Sequence, residues 1–260
     1  MPKLARIVIY PVKSLDGQDV SAATILPSGA IENDRRFAIV DEDGFVVHGK
    51  RTPAVHTIRS FWDPGSNTLT LGVAGASEQT RFDLSGDLGD VHSWLSAHFK
   101  LPVRLIENRE GGFPDDTRAP GPTLIGRATL EEVARWFPGL STDETRRRFR
   151  ANLEIDAVDP FWEDHLFREA GATVRFRVGT MVFEGANPCA RCVVPSRSPH
   201  RGDSIPGFTR RFIKNRQATL PAWAEASRFE HFYRLSVNTR GAQGAGGMIG
   251  VGDTVELLDD

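Results

Sequence analysis

Cysteine is scarce: Cys189 and Cys192 are the only two in 260 residues. That excludes the disulfide-dense framework of a small secreted scaffold and points to reduced thiols. No stretch approaches the ~18 consecutive apolar residues of a membrane span. The chain starts Met1-Pro2-Lys3-Leu4-Ala5-Arg6 and runs straight into Ile7-Val8-Ile9-Tyr10, without an apolar signal core or small-residue cleavage site. The expected compartment is therefore the cytoplasm, with no membrane partner. Excess charge is lacking too: 32 basic residues stand against 34 acidic ones, a net −2. This argues against a polyanion as the main partner. The run Arg210-Arg211-Phe212-Ile213-Lys214 lacks an aromatic stacking pattern, so no nucleic-acid partner is expected. None of the seven histidines forms a pair with metal-ligand spacing on a helix face, and none is assigned to catalysis. His200, nearest the cysteines, reads as an exposed loop residue.

What is present is the balance of a globular protein, 40% hydrophobic and 25% charged. The length suits one large domain or two packed ones. Short strands at regular spacing are predicted over Arg6–Tyr10, Arg36–Val40 with Phe45–Val47 as its hairpin partner, His56–Trp62 and Thr68–Leu71. Such spacing suggests a small barrel or sandwich. A helix is predicted from Leu88 to Phe99, and a strand from Leu101 to Ile106. The run from Glu110 to Pro122 is too rich in Gly, Pro and Asp for regular structure, and the domain boundary is placed there. Beyond it, a helix from Leu130 to Phe137 capped by Thr129 is expected. Strands follow at Leu153–Ile155, Thr173–Val178 and Met181–Phe183, the last run ended by Pro188. A helical pattern surrounds Trp223. Tyr233–Val237 and a strand pair around Gly252-Asp253 close the chain.

Cys189-Ala190-Arg191-Cys192 is the sharpest local feature. Structural zinc needs four ligands, and no second pair supplies them. A thioredoxin-type site would open a helix, but Pro195 and Pro199 follow. Two small apolar side chains in a strand remain one reading. The other is a single thiolate ligand to a soft metal, its ionised form favoured by Arg191. One cysteine alone could not hold such a metal, so a preassembled organic cofactor would have to bring the rest.

Three further clusters are individually unspecific. Lys13 and Ser14, in Tyr10-Pro11-Val12-Lys13-Ser14, could hold a phosphate or carboxylate, or form a solvated turn. Asn33-Asp34-Arg35-Arg36-Phe37 could be a surface ion-pair cluster. Arg146-Arg147-Arg148-Phe149-Arg150-Ala151-Asn152 reads as the basic end of a helix, or as an arginine clamp for a phosphate or pyranopterin edge.

Together and in this order, these four features resemble the MOSC superfamily, and among its members the mitochondrial amidoxime-reducing component and its bacterial counterparts. The resemblance implies a mainly β fold with some α: an N-terminal β-barrel-like domain over residues 1–115, packed on a C-terminal MOSC β-barrel domain over 116–260 with flanking helices. It further implies that Cys192 ligates molybdenum in a molybdenum cofactor of the molybdopterin form. Lys13, Ser14 and Arg36 would contact the pterin and its phosphate, with Arg150 and Asn152 from the other domain; Thr117, beside Asp116, and Arg191 complete the expected set. The implied activity is two-electron reduction of N-hydroxylated or N-oxide-type small-molecule substrates. Electrons would come from a separate ferredoxin, flavoprotein or cytochrome, since no cysteines remain for an iron–sulfur cluster. The alternative is a sulfur-carrier or cofactor-carrier protein using Cys192. Where the family often continues with Thr-Thr and Asp-Pro-x-Thr-Gly, this sequence has Val194-Pro195-Ser196-Arg197-Ser198-Pro199-His200-Arg201-Gly202.

Overall fold

Ile7, Val8 and Ile9 are β-branched or buried on both faces, and they place the first strand, Lys3–Ile9, inside a sheet. Its partners come from far along the chain. Leu153–Asp156 pairs with it antiparallel on one side and Gln18–Val20 on the other. The computed structural model describes residues 1–241 and 246–258. Across it the largest sheet has eight strands, in the order Val255–Leu257, Val174–Val178, Met181–Ala190, Arg234–Gly241, Leu124–Gly126, Leu153–Asp156, Lys3–Ile9 and Gln18–Val20. Three smaller sheets join Met248–Gly250 to Ala22–Thr24, Phe37–Asp41 to Val103–Glu107, and Ile58–Asp63 to Thr68–Val73 and Gln79–Asp83. Four α-helices flank them: α1 Gly89–Phe99, α2 Arg127–Arg135, α3 Thr142–Phe149 and α4 Phe208–Ala218. The fold is mainly β with some α.

Three apolar clusters hold these elements. One lies wholly between Val12 and Leu105 and centres on Trp62, Leu71 and Leu95. A second packs Leu4, Ile7 and Ile25 from the N-terminus against Leu124, Phe176, Phe183 and Val237, so the two halves share a core as well as a sheet. The third lies under the helices, around Phe149, Phe208 and Phe212.

Several expectations are corrected. Phe45–Val47 is not the main partner of Phe37–Asp41; it contributes only the bridge Val40↔Val46, and Val103–Glu107 takes the full register with Val103 and Leu105 buried. Thr129 does not cap α2. The helix starts at Arg127 with Gly126 as N-cap, and the Thr129 hydroxyl is turned into the core, donating to Glu163 Oε2 at 2.8 Å and accepting from the Phe161 amide at 2.6 Å. Pro188 does not end its strand. It sits between two register shifts, where a missing N–H is tolerated, and the strand continues to Ala190. The helix expected near Trp223 lies earlier, at α4, which also absorbs Arg210–Lys214 and buries Phe212 completely. Met248–Gly250 and Val255–Leu257 do not pair with each other but with separate sheets.

One glycine fixes where the cysteine strand runs. A Cβ on Gly185 would stand 1.8 Å from the Leu166 carbonyl oxygen, so only glycine lets Met181–Ala190 pass the turn Trp162–Leu166.

Candidate functional site

A cleft of about 470 Å³ lies where the loop after the first strand, the 113–123 loop, the end of α3 and the cysteine strand meet. Its volume suits a small-molecule or cofactor site. Six cationic side chains line it (Lys13, Lys50 and four arginines) against two carboxylates, Asp115 and Asp116. A chain with net charge −2 has thus concentrated positive charge in one hollow.

Each side chain is held from below. Lys13 Nζ donates to the carbonyls of Phe113 and Pro114 at 2.8 and 3.1 Å and pairs with Asp115 at 3.0 Å. This ties the first strand's exit to the 113–123 loop. Burial opposes ionisation of Asp115, yet Arg35 and Lys13 hold its carboxyl well below the usual range. Arg35 is paired to Asp34, whose other oxygen accepts from the Tyr10 amide at 2.8 Å. Arg150 follows α3 as its C-cap and stacks on Tyr10, its guanidinium carbon 4.0 Å from the ring centroid. It forms no ion pair among the described residues, and burial pulls it below its ordinary pKa. Ser14, Arg35 and Arg150 all carry left-handed backbone, at φ 74°, 50° and 54°. Non-glycine residues avoid that region, and such strain gathers at ligand sites.

Both thiols line the cleft, and both are half-buried. Cys189 lies within the last residues of its strand and receives Arg191 Nη1 at 3.1 Å; the other end of that guanidinium donates to the Phe149 carbonyl at 2.7 Å. Cys192 lies between this strand and the turn Val194–Ser196. The turn is clamped by the buried Arg148, which donates to the Pro195 and Arg197 carbonyls at 3.0 and 2.5 Å. Asn187 and Asn238 form the floor beside Cys189, 3.0 Å apart across the strand pair.

Of the residues expected from sequence, Lys13, Ser14, Thr117, Arg150, Arg191 and Cys192 come together on this one cleft. Two do not. Arg36 points away: it bonds Glu107 and the Asn33 side chain and stacks over Phe37 and Trp62. Its neighbour Arg35, with left-handed backbone in the turn before the strand, lines the cleft instead. Asn152 is 1% exposed and spends every polar side-chain atom inside the protein, donating to the Val8 carbonyl and accepting from the Thr123 amide and hydroxyl. It fastens the sheet behind Arg150. Sequence reading missed His48, His56, Asn187 and Asn238. Only the adjacency of Asn187-Pro188 to Cys189 could have signalled one of them.

Among the described residues no group of three or more His, Cys, Asp or Glu could hold a metal. One thiol beside several guanidinium, ammonium and amide donors instead fits an anionic cofactor that carries its metal on ligands of its own.

Two family models match the chain. The MOSC N-terminal beta barrel domain matches residues 1–102 and the MOSC domain residues 124–256. The chain belongs to the MOSC family. The cleft falls between these two MOSC segments and draws on both, since Lys13, Ser14 and Arg35 come from the first and Arg150, Cys189 and Cys192 from the second. Similar curated proteins include a molybdenum cofactor sulfurase of Danio rerio, 28% identical over 235 residues covering 73% of this chain and 27% of that protein. One of Drosophila mojavensis is 29% identical, covering 79% and 29%. A molybdenum cofactor sulfurase 2 of Culex quinquefasciatus is 26% identical, covering 74% and 30%. The chain thus spans under a third of the length of these relatives.

Proposed function

We propose that this MOSC protein binds a molybdenum cofactor in the cleft and uses Cys192 to carry the cofactor or its sulfur. The observation that carries the reading is the convergence, in one cation-lined hollow, of a half-buried thiol with Arg150, a guanidinium that has no ion-pair partner among the described residues. The similarity to molybdenum cofactor sulfurases favours this carrier reading over the reductase reading. Lys13, Ser14, Thr117, Arg35 and Arg150 would hold the pterin and its phosphate through charge-assisted hydrogen bonds. Arg191, bonded to Cys189 and to Phe149, would keep the cysteine segment in place. When bound, the cofactor supplies two-electron molybdenum chemistry at a site open to small molecules.

For sulfur handling, the Cys192 thiolate attacks the outer sulfur of a persulfide on a donor protein. The new S–S bond forms as the donor thiolate leaves, and no electrons are gained or lost overall. The second reading, reduction of N-hydroxylated or N-oxide-type compounds with an external electron donor, would use the same cleft, which both thiols line.

Intact-protein mass spectrometry separates the two. The carrier reading expects wild type, isolated without reductant, to gain one sulfur atom on Cys192 that dithiothreitol removes. The reductase reading expects an unmodified Cys192 and turnover of a benzamidoxime-type substrate with a chemical reductant. An unmodified Cys192 in a chain that never retains pterin would contradict both.

A further inference from the structure

The cleft has a side chamber of about 130 Å³, and Ser14, His56, Arg150 and Val194 belong to both walls. Seven arginines line it, against two carboxylates, Asp16 and Asp19. Five of the seven have partners: Arg6 pairs with Asp19, Arg59 with Asp16, Arg146 with Glu154, Arg147 with Asp143 and Arg148 with Glu144. Arg150 and Arg197 pair with no carboxylate among the described residues.

Both are half-buried. Arg197 Nε is buried without a partner, and Nη2 reaches only the Lys50 carbonyl, at 3.4 Å. Arg150 is half-buried, and its one neighbour of note among the described residues is the face of Tyr10. In the same chamber, His56 Nε2 is also buried and without a partner among the described residues. Burial, with Arg150 and Arg197 close by, pushes His56 down to about 4, so its ring is neutral at neutral pH. Buried donors without acceptors cost free energy unless a ligand supplies them. Two unmatched positive charges and a neutral ring nitrogen are what a dianion would complete.

We propose that this chamber is a binding site for a phosphate monoester dianion, held between Arg150 and Arg197 with His56 Nε2 as a further donor. The inference deepens the cofactor reading, which already sets Ser14 and Arg150 against a phosphate, by adding Arg197 and His56, and it rests on that reading only for which ligand brings the phosphate. The chamber is also braced independently of the Arg197 side chain. Arg59 Nη2 bonds the carbonyls of His56 and Pro199, and Arg148 holds the Arg197 carbonyl. The side chain can therefore be changed while the loop stays in place.

The test is calorimetric titration of inorganic phosphate into the cofactor-free full chain, for wild type, Arg197→Gln, Arg197→Lys and Arg36→Gln. The last loses the same charge outside the cleft and controls for net charge. Saturable binding to wild type, weakened about 10- to 100-fold in Arg197→Gln, partly kept in Arg197→Lys and unchanged in Arg36→Gln, supports the site. No saturable binding up to about 10 mM phosphate, or equal weakening in Arg197→Gln and Arg36→Gln, overturns it. Repeating the titration on cofactor-loaded protein identifies the source. Loss of phosphate binding assigns the chamber to the cofactor's own phosphate end, and retention assigns it to a separate phosphate ester. Because the first titration uses no molybdenum, its result stands whether or not the cofactor reading does.

Discussion

The guanidinium of Arg150 lies 4.0 Å from the centroid of the Tyr10 ring and has no ion-pair partner among the described residues. The ring itself is buried, its hydroxyl 3.4 Å from the Ala151 carbonyl, so the pair is a fixed platform. A half-buried charge with only a π face beside it gives up part of its hydration, and an anionic ligand would offset that. Arg150→Gln is therefore expected to leave thermal stability within about 1 kcal/mol of wild type or raise it. Pterin retention should fall by about tenfold or more. Fluorescence of the oxidised pterin, measured beside a thermal melt, checks both; parallel loss of stability and pterin would mean that Arg150 is structural.

Adjacent arginines are expected to behave differently. Arg35→Gln should lower pterin content, because its guanidinium lines the cleft and helps keep Asp115 ionised. Arg36→Gln should not, because that side chain is committed to Glu107 and Asn33. Pterin per chain in the two variants decides it, and equal losses would contradict the placement.

Asn152 should act on stability. Asn152→Ala leaves the Val8 carbonyl and the Thr123 amide without their buried partner. A loss of about 2–4 kcal/mol in urea unfolding is expected. If Asn152→Ala unfolds like wild type yet loses pterin, Asn152 touches ligand after all.

Burial, then the neighbouring Asp164 charge, raises Glu163 to about 8, so it is protonated in the folded protein at neutral pH. Unfolded, it would titrate at an ordinary carboxyl value near 4.5. Between these values the native state binds the extra proton, so this group's contribution is complete below about pH 4.5 and is lost as pH rises through about 8. Glu163→Gln keeps a neutral group there. The variant should gain on wild type steadily from about pH 5 to pH 8, by up to a few kcal/mol, in denaturant unfolding. A constant difference across that range would show that Glu163 is ionised in the fold.

The sequence made the cleft legible as four motifs, but not which side chain of each motif enters it. Asp34-Arg35-Arg36-Phe37 names a basic pair, and only the backbone at Arg35, φ 50°, decides that Arg35 faces inward. Local strands such as Ile58–Asp63 and the helix Gly89–Phe99 follow from side-chain periodicity and could be read directly. The pairing of Phe37–Asp41 with Val103–Glu107 depends on partners more than sixty residues apart, for which no local signal exists. Thr129 carries a capping signature, yet the buried Glu163 carboxyl competes for its hydroxyl and wins. Four of the side chamber's seven arginines fall in the run Arg146–Arg150, legible in the sequence as a basic cluster, but only the fold shows which of the seven lack partners among the described residues.

The central claim, that this cleft holds a molybdenum cofactor with Cys192 as its sulfur contact, is tested most directly by metal and pterin content. Wild type, Cys189→Ser and Cys192→Ser would be expressed in a host that makes the cofactor. The account predicts near-stoichiometric molybdenum and pterin in wild type and in Cys189→Ser, with molybdenum lost or its absorption spectrum changed in Cys192→Ser. Wild-type protein that purifies folded but without molybdenum or pterin would contradict it.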